Sequence, residues 1–309
     1  MTTLRIRTYQ VKVIGCKVNQ YEAQQISEFL CGLGLRLVAT GESPDLAVVH
    51  GCAVTSRATA KSRRAVRRCL RQGKGPVVVS GCAAQLAAKE LAELSKTVTV
   101  ISETRDIASI LYSIVAKQGA PNSSWATINQ GSTTRGRHKE CMITQPGTIV
   151  ANVSNPYKAL FNDIQAYRGG QVKSKIEAQS PPRKANNWTE KAGLGPINRF
   201  WAHERAFVKV QDGCDGLCSY CLIPQLRRSL SWRRPEQVVE EVRQLVENGY
   251  REVVLAGVHL GAYGRRTAVG IHWDGKQAVS LAECISKVAK IGGLERVRLS
   301  SLEPGEISE

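Results

Sequence analysis

Three times in the first third of the chain a short apolar run leads into the pair Gly-Cys: Gly15-Cys16, Gly51-Cys52 and Gly81-Cys82. The pairs lie 36 and 30 residues apart, each about one strand–helix–strand unit. The apolar runs Gln10–Ile14, Leu46–Val49, Val77–Val79 and Val98–Ile101 alternate with helical patterns over Asn19–Leu33, Thr55–Gln72, Gln85–Leu94 and Ile107–Ala116. Alternation of this kind predicts a parallel sheet with helices on its faces. All three cysteines then emerge at one carboxyl edge, where open α/β sheets place their ligands. The glycines let the backbone turn and approach a bulky group closely. Three thiolates so arranged read as an iron–sulfur site; the alternative is three small buried residues at strand ends.

A second trio lies in Gly213-Cys214-Asp215-Gly216-Leu217-Cys218-Ser219-Tyr220-Cys221, a C-x-x-x-C-x-x-C spacing with no fourth cysteine near. Three thiolates can hold three irons of a four-iron cluster and leave the last open to a substrate or cofactor. Two rival readings stand beside this one. A helical core stripe matches the i, i+4, i+7 positions, but Gly213 and Gly216 disfavour a helix interior. A structural zinc site wants four ligands, usually as two C-x-x-C pairs. Cys31 and Cys284 sit in apolar helical patterns and read as packing residues, while Cys69 and Cys141 have no comparable setting.

Charge narrows the partners. The chain carries 43 basic and 26 acidic residues, net +17, which favours a polyanion. From Thr55 to Lys74 there are eight basic residues and no acid. On a helix, Arg57, Lys61, Arg64 and Arg68 share one face. A solvated helix face normally mixes signs, so nucleic acid is the sharper reading and a merely solvated basic face the blander one. Met1–Gln10 has no apolar h-region, and no stretch approaches the ~18 apolar residues of a membrane helix, so neither a secretory leader nor a membrane anchor is expected. Ten cysteines in such a chain imply metal ligands or buried thiols in a reducing, cytoplasmic setting.

Residues 118–200 break the pattern: they are rich in Ser, Asn, Gln, Gly and Lys/Arg, with several prolines and weak periodicity, and read as a basic linker or insertion. Clusters such as Arg135–Lys139 there read as solvated linker charge. From Arg205 a βα repeat begins. Strand Ala206–Val210 delivers the cysteine loop, helix Pro235–Asn248 turns Val238, Val239, Val242, Leu245 and Val246 inward, and strand Glu252–Ala256, helix Leu281–Ile291 and strand Arg296–Ser300 follow.

With both trios placed, the chain resembles the radical S-adenosylmethionine (SAM) methylthiotransferases. The resemblance is carried by Gly15–Glu22, Ala53-Val54-Thr55, Gly81–Gln85, Arg205–Cys214, Gly257–Gly264 and Arg298–Pro304, covering residues ~10–117 and ~200–309. The wording Lys17-Val18-Asn19-Gln20-Tyr21-Glu22 is most similar to the branch acting on N6-threonylcarbamoyladenosine beside the tRNA anticodon. Relatives act on isopentenyladenosine or on an aspartate of a ribosomal protein. The resemblance implies an α/β fold: an open parallel-sheet, Rossmann/flavodoxin-like domain over 1–117, then the N-terminal half of a radical SAM (β/α) partial barrel over 201–309. It implies two 4Fe-4S clusters, one on Cys214, Cys218 and Cys221 that binds S-adenosyl-L-methionine through its open iron, and an auxiliary one on Cys16, Cys52 and Cys82 that holds or donates sulfur. Tyr220 and Gly257 are expected near the bound SAM. Reductive SAM cleavage yields a deoxyadenosyl radical that removes hydrogen from C2 of the adenine, and a second SAM supplies the methyl group. C2 has no acidic proton, so acid–base residues do not suffice and the cofactor carries the chemistry. The implied partners are the tRNA anticodon stem-loop, whose base leaves its stack, and a flavodoxin- or ferredoxin-type reductant.

Two departures from the family pattern are visible. His50-Gly51 stands where Asn-Thr is usual, and reads as a plain substitution rather than a ligand. After Pro224, Arg227-Arg228-Ser229 lacks the family's glycine, though Arg227, Arg228 and Arg233 keep the basic content expected to meet RNA phosphates. The 104 residues from 206 onward suffice for about three βα units, roughly half a barrel, so a C-terminally truncated chain is expected, and the alternatives to a tRNA enzyme are the ribosomal-protein branch or an inactive iron–sulfur or RNA-binding remnant.

Overall fold

In the computed structural model, which describes residues 5–39, 41–73, 75–117, 194–200, 203–227, 229–265, 279–303 and 306, the first unit is a five-stranded sheet. Its strands are β1 (Thr8–Val13), β2 (Arg36–Leu37), β3 (Leu46–His50), β4 (Val77–Ser80) and β5 (Val98–Val100). They lie in the order β2-β1-β3-β4-β5 and pair parallel throughout. This is the flavodoxin-like order, and its direction reverses between β1 and β3. The helices are α1 (Lys17–Gly32), α2 (Ser56–Gln72), α3 (Cys82–Leu86), α4 (Ala88–Ala92) and α5 (Ile107–Lys117).

The period-two alternation of β3 and β4 sorts two cores. Leu46, Val48 and Val78 face α1 and α5, against Ile26, Phe29, Leu30 and Leu111. Ala47, Val49, Val77 and Val79 face the other way, against Val66 and Cys69 of α2 and Leu91 of α4. Both strands are buried along their whole length, as a sheet covered on both faces requires. Strand β2 escaped sequence reading because two residues, one an arginine, show no alternation. The expected helix over Gln85–Leu94 is instead two short helices that begin at Cys82 and break at Ala87. The break re-aims the chain so that Ala84, Ala87 and Leu91 all reach the core.

The second unit contains β6 (Ala206–Lys209), β7 (Gln211–Asp212), α6 (Ile223–Leu226), β8 (Ser231–Trp232), α7 (Pro235–Glu247), β9 (Glu252–Ala256), α8 (Leu281–Ala289) and β10 (Arg296–Leu299). Strands β6, β9 and β10 pair parallel in sequence order, the arrangement of consecutive βα units in a partial barrel. Val238, Val242 and Leu245 of α7 are fully buried against β6 and β9. The small antiparallel β7–β8 ribbon, too short to show periodicity, brackets the cysteine loop. Arg135–Lys139, Cys141 and the remainder of 118–193 lie outside the described residues. The stretch assigned to the linker nevertheless ends earlier than expected: Leu194, Ile197 and Phe200 are already packed into the two cores.

Helix α1 joins the units. One face holds Ile26, Phe29 and Leu30 on the first sheet; the opposite, polar face is also buried, against the second unit. The Tyr21 hydroxyl donates to Glu241 of α7 at 2.9 Å, and Gln25 Nε2 donates to the Gly195 carbonyl at 2.7 Å. Glu28 accepts from the backbone N–H groups of Asn198 and Arg199, each at 2.9 Å. Burial pushes the Glu28 carboxyl up to about 7, although those same N–H groups pull it down. An unfolded glutamate titrates near 4.3, so the folded chain holds this proton more tightly. The group's contribution to stability is whole below about pH 4.3 and is lost as pH rises through about 7. The difference in urea midpoint between wild type and Glu28→Gln should therefore shrink as pH is raised from about 5 to 8; a flat difference contradicts this assignment.

Candidate metal centre

Cys16 follows β1, Cys52 follows β3, and Cys82 opens α3 directly after β4. The three therefore occupy adjacent positions on the carboxyl edge, two of them flanking the point where strand order reverses. Hydrogen bonds tie the three loops together. Asn19 Nδ2 donates to the Ile14 carbonyl at 3.1 Å and the Gly51 carbonyl at 3.2 Å, while its Oδ1 lies 3.8 Å from Cys16 Sγ. The Ala83 N–H also bonds the Gly51 carbonyl, at 3.2 Å. Ser62 of α2 clasps the backbone of Cys52, its hydroxyl accepting from the Cys52 N–H at 3.1 Å and lying 2.9 Å from the Cys52 carbonyl. Cys16 is exposed, whereas Cys52 and Cys82 are buried. Burial pushes the Cys82 thiol up; Arg227 pulls it down, and Glu22 and Cys52 add to the rise.

The second trio sits on the loop between β7 and α6. Burial raises the Cys214 thiol, the Gly216 N–H at 3.3 Å lowers it, and Asp215, Cys221 and Cys218 raise it further. His259 Nδ1 approaches Cys214 Sγ to 3.6 Å, and the His259 N–H donates to Gln211 Oε1 at 2.8 Å. At the loop tip Leu217 and Tyr220 are 86% and 88% exposed, large apolar surface beside three thiols. Gly257 lies against Gln211, where an added Cβ would come within 2.9 Å of its Oε1. Among the described residues no three His, Cys, Asp or Glu side chains close in as the ligands of a single ion would. A cubane gives each thiolate its own iron, so its ligands stand farther apart. The donor set among the described residues, three thiols per site, fits such a cluster with one iron left open.

Between the two trios lies a buried ionic cluster. Glu22 pairs with Arg227, at 2.6 Å and 2.8 Å, and with Lys209. Asp212 takes Lys209 and Arg227 at 2.8 Å each. Burial alone would push the Glu22 carboxyl up; Arg227 and Lys209 outweigh it and hold Glu22 well below the usual range. His50 is completely buried, with Nε2 2.9 Å from Glu22 Oε2 and Nδ1 2.9 Å from Ser80 Oγ. Both ring nitrogens are spent, so His50 is not a ligand.

The basic residues divide. Arg57, Lys61, Arg64 and Arg68 are all exposed on α2, while Ser62, Val66 and Cys69 of the same helix are buried. Arg227 and Arg233, expected at phosphates, are corrected: both are buried inside ion pairs, Arg233 with Glu241. An acid at the right distance in space rather than in sequence claims each of them. Arg228 lies outside the described residues. Asn19, Ser62, Gln211 and His259 are site residues that sequence reasoning missed: Asn19, Gln211 and His259 lie within family motifs, Ser62 lies in none, and the contacts that join separate loops (Asn19 to Gly51, Ser62 to Cys52, His259 to Gln211) leave no local signal.

Residues 8–102 match the Uncharacterized protein family UPF0004, and residues 208–304 match the Radical SAM superfamily. The threonylcarbamoyladenosine tRNA methylthiotransferase MtaB of Chlamydia pneumoniae is 30% identical over 313 residues, covering 100% of this chain and 54% of that relative. The MtaB of Bacillus subtilis (strain 168) is 27% identical over 304 residues, with 98% and 53% covered. A tRNA-2-methylthio-N(6)-dimethylallyladenosine synthase of Desulfosudis oleivorans is 23% identical over 307 residues, with 98% and 52% covered. Among solved structures, the radical SAM methyltransferase TsrM of Kitasatospora setae aligns at TM-score 0.41 and 13% identity over 84% of this chain and 48% of that one. Residues 208–304 thus carry a radical SAM domain and residues 8–102 a UPF0004 domain, and along its whole length the chain is similar to curated tRNA methylthiotransferases. It spans about half the length of the curated relatives it matches.

Gly81 adopts φ +80°, and a Cβ there would fall 2.7 Å from the Gly51 carbonyl oxygen, directly beside Cys82. Gly34, at φ +83°, has nothing within 4 Å. Gly34→Ala should therefore cost only backbone strain, about 1 kcal/mol, and Gly81→Ala, at φ +80° and ψ −165° where essentially only glycine sits, a larger strain plus a clash, about 3 kcal/mol or more. Denaturant unfolding of the two variants reads the difference; equal losses would refute the close approach at Gly81.

Proposed function

We propose that this chain is a tRNA methylthiotransferase that converts N6-threonylcarbamoyladenosine, next to the anticodon, to its 2-methylthio derivative. The observation that carries the reading is the pairing of two separate cysteine trios, one on each unit's strand-end loops, across a shared ionic interface. Cys16, Cys52 and Cys82 would hold the auxiliary 4Fe-4S cluster, and Cys214, Cys218 and Cys221 the one that binds SAM. When bound, these groups supply one-electron cleavage of SAM and the sulfur and methyl donors for the unactivated C2–H position.

The protein's own part is placement. Asn19 and Ser62 fix the backbones around Cys16 and Cys52. The β7–β8 ribbon and Gln211 hold the Cys214 loop, Gln211 Nε2 donating to the Gly213 carbonyl at 2.7 Å. Tyr220 and Gly257 flank the site where SAM is expected. The exposed cationic face of α2 is suited to the phosphates of an anticodon stem-loop. A flavodoxin- or ferredoxin-type protein in the cytoplasm would deliver the electron, and the exposed Leu217–Tyr220 tip is an accessible point of approach. The choice of N6-threonylcarbamoyladenosine rests on the wording of Lys17–Glu22 and on the names of the more similar relatives.

Anaerobic reconstitution should load about eight irons per chain, and replacing either trio by alanine should leave about four; loading that stops at about four in the wild type sinks the two-cluster reading. Nucleoside mass spectrometry of tRNA from a strain lacking the gene should show the 2-methylthio group missing from threonylcarbamoyladenosine. Loss from isopentenyladenosine, or from neither, reassigns the substrate to another branch. Changing Arg57, Lys61, Arg64 and Arg68 together to glutamine should weaken anticodon stem-loop binding and reduce the log–log salt slope by about 3. An unchanged slope would leave α2 as a solvated face.

A further inference from the structure

Arg227 touches both cysteine sites. Its backbone carbonyl accepts the N–H of Cys214 at 2.9 Å, and its Nε–H donates to Cys82 Sγ at 3.4 Å. The guanidinium's remaining donors are also spent: Nη1 on Glu22 Oε1 and Asp212 Oδ1, each at 2.8 Å, and Nη2 on Glu22 Oε2 at 2.6 Å and Asn19 Oδ1 at 3.4 Å. A guanidinium has five N–H donors, and here each has an acceptor. Through Asn19 the same group reaches the Cys16 loop and the Gly51 carbonyl that precedes Cys52. The side chain is only 8% exposed, so its charge acts without water's screening.

We propose that Arg227 is a positioning residue that locks the Cys16, Cys52 and Cys82 site against the Cys214 loop and raises the reduction potential of a cluster held there. The inference rests on the two-cluster reading above. Its physical basis is that adding an electron to a cluster adds negative charge. Glu22 and Asp212 offset the guanidinium charge, so the effect comes from the Nε–H donated to Cys82 Sγ: a hydrogen bond to a ligand sulfur stabilises the reduced form. Lysine cannot substitute: it brings a point charge with three donors and lacks the planar fork that meets five acceptors on four residues.

The test is an anaerobic redox titration, followed by electron paramagnetic resonance, of the full chain in a background with Cys214, Cys218 and Cys221 replaced by alanine, so that only the auxiliary signal remains. Arg227→Gln should shift the reduced-to-oxidised ratio about tenfold toward the oxidised form at fixed potential, 59 mV more negative for one electron. Arg227→Lys should shift it less, with iron content kept. Should Arg227→Gln fail to fold for want of a partner to Glu22, Arg227→Lys, which keeps the charge but lacks the Nε–H donor to Cys82, carries the test through its smaller shift in the same direction. Equal potentials in wild type and all folded variants overturn the proposal, as does lost iron with an unmoved potential, which marks a purely structural residue. A wild-type background that loads no iron rejects the cluster reading as well, so the two failures are told apart.

Discussion

Four charges withdrawn from water hold the two units in one register. Glu22 comes from α1, Lys209 from β6, Asp212 from β7, and Arg227 from the end of α6, so no unit can satisfy the set alone. Desolvating each ion costs several kcal/mol, and only near-complete pairing offsets this. The set balances formally, two acids against two bases, and Glu22 and Arg227 meet bidentately. Removing one member leaves an uncompensated buried charge, typically a loss of 3–5 kcal/mol. An apolar interface tolerates sliding by a fraction of a side chain; this one does not.

Helix α1 makes that interface possible because it has no face left for solvent at its centre. A helix whose polar side is buried needs partners for its polar groups, and the second unit and the segment leading into it provide them: Glu241 for Tyr21, the Leu194–Gly195 carbonyls for Gln25, and the Asn198 and Arg199 amides for Glu28. Arg233 closes the set from behind, paired with Glu241 and 3.3 Å from the Tyr21 hydroxyl. The Lys17–Glu22 wording therefore has a structural use: Asn19 organises the cysteine loops, while Tyr21 and Glu22 dock the second unit.

Local rules served where the determinant is local. Strand–helix alternation placed β1, β3, β4 and β5 and the large helices to within a few residues, and the Gly-Cys pairs marked the carboxyl edge because strand ends in a parallel sheet fall together by construction. The exposed row Arg57, Lys61, Arg64 and Arg68 followed from 3.6-residue periodicity alone. Arg227 and Arg233 were misread for the converse reason. Arg227 looks like a phosphate contact until Glu22, more than 200 residues away, is folded against it, whereas Arg233 is claimed by Glu241, eight residues on, once α7 turns that carboxylate back toward it. His50 is similar: its burial between Glu22 and Ser80 depends on α1 and β4, which no window around position 50 contains.

Helix α2 shows how one element can serve two demands that pull in different directions. A cysteine site at a strand end needs an immobile backbone, and Ser62, Val66 and Cys69 supply it by packing into the core and gripping Cys52. A polyanion-binding face needs unpaired cations in water, and on the opposite side of the same helix Arg57, Lys61, Arg64 and Arg68 are exposed. The Thr55 hydroxyl, accepting from the Ala58 N–H at 3.1 Å, caps the helix at the end nearest Cys52. That end carries partial positive charge and Arg57 beside it a full one, so the helix places both fields on the flank of the thiol site. An RNA phosphate held at Arg57, the member of the row nearest that end, would then lie on the flank of the same strand-end edge that carries Cys16, Cys52 and Cys82. The distance from phosphate to thiol would be set by a rigid helix rather than by a loop.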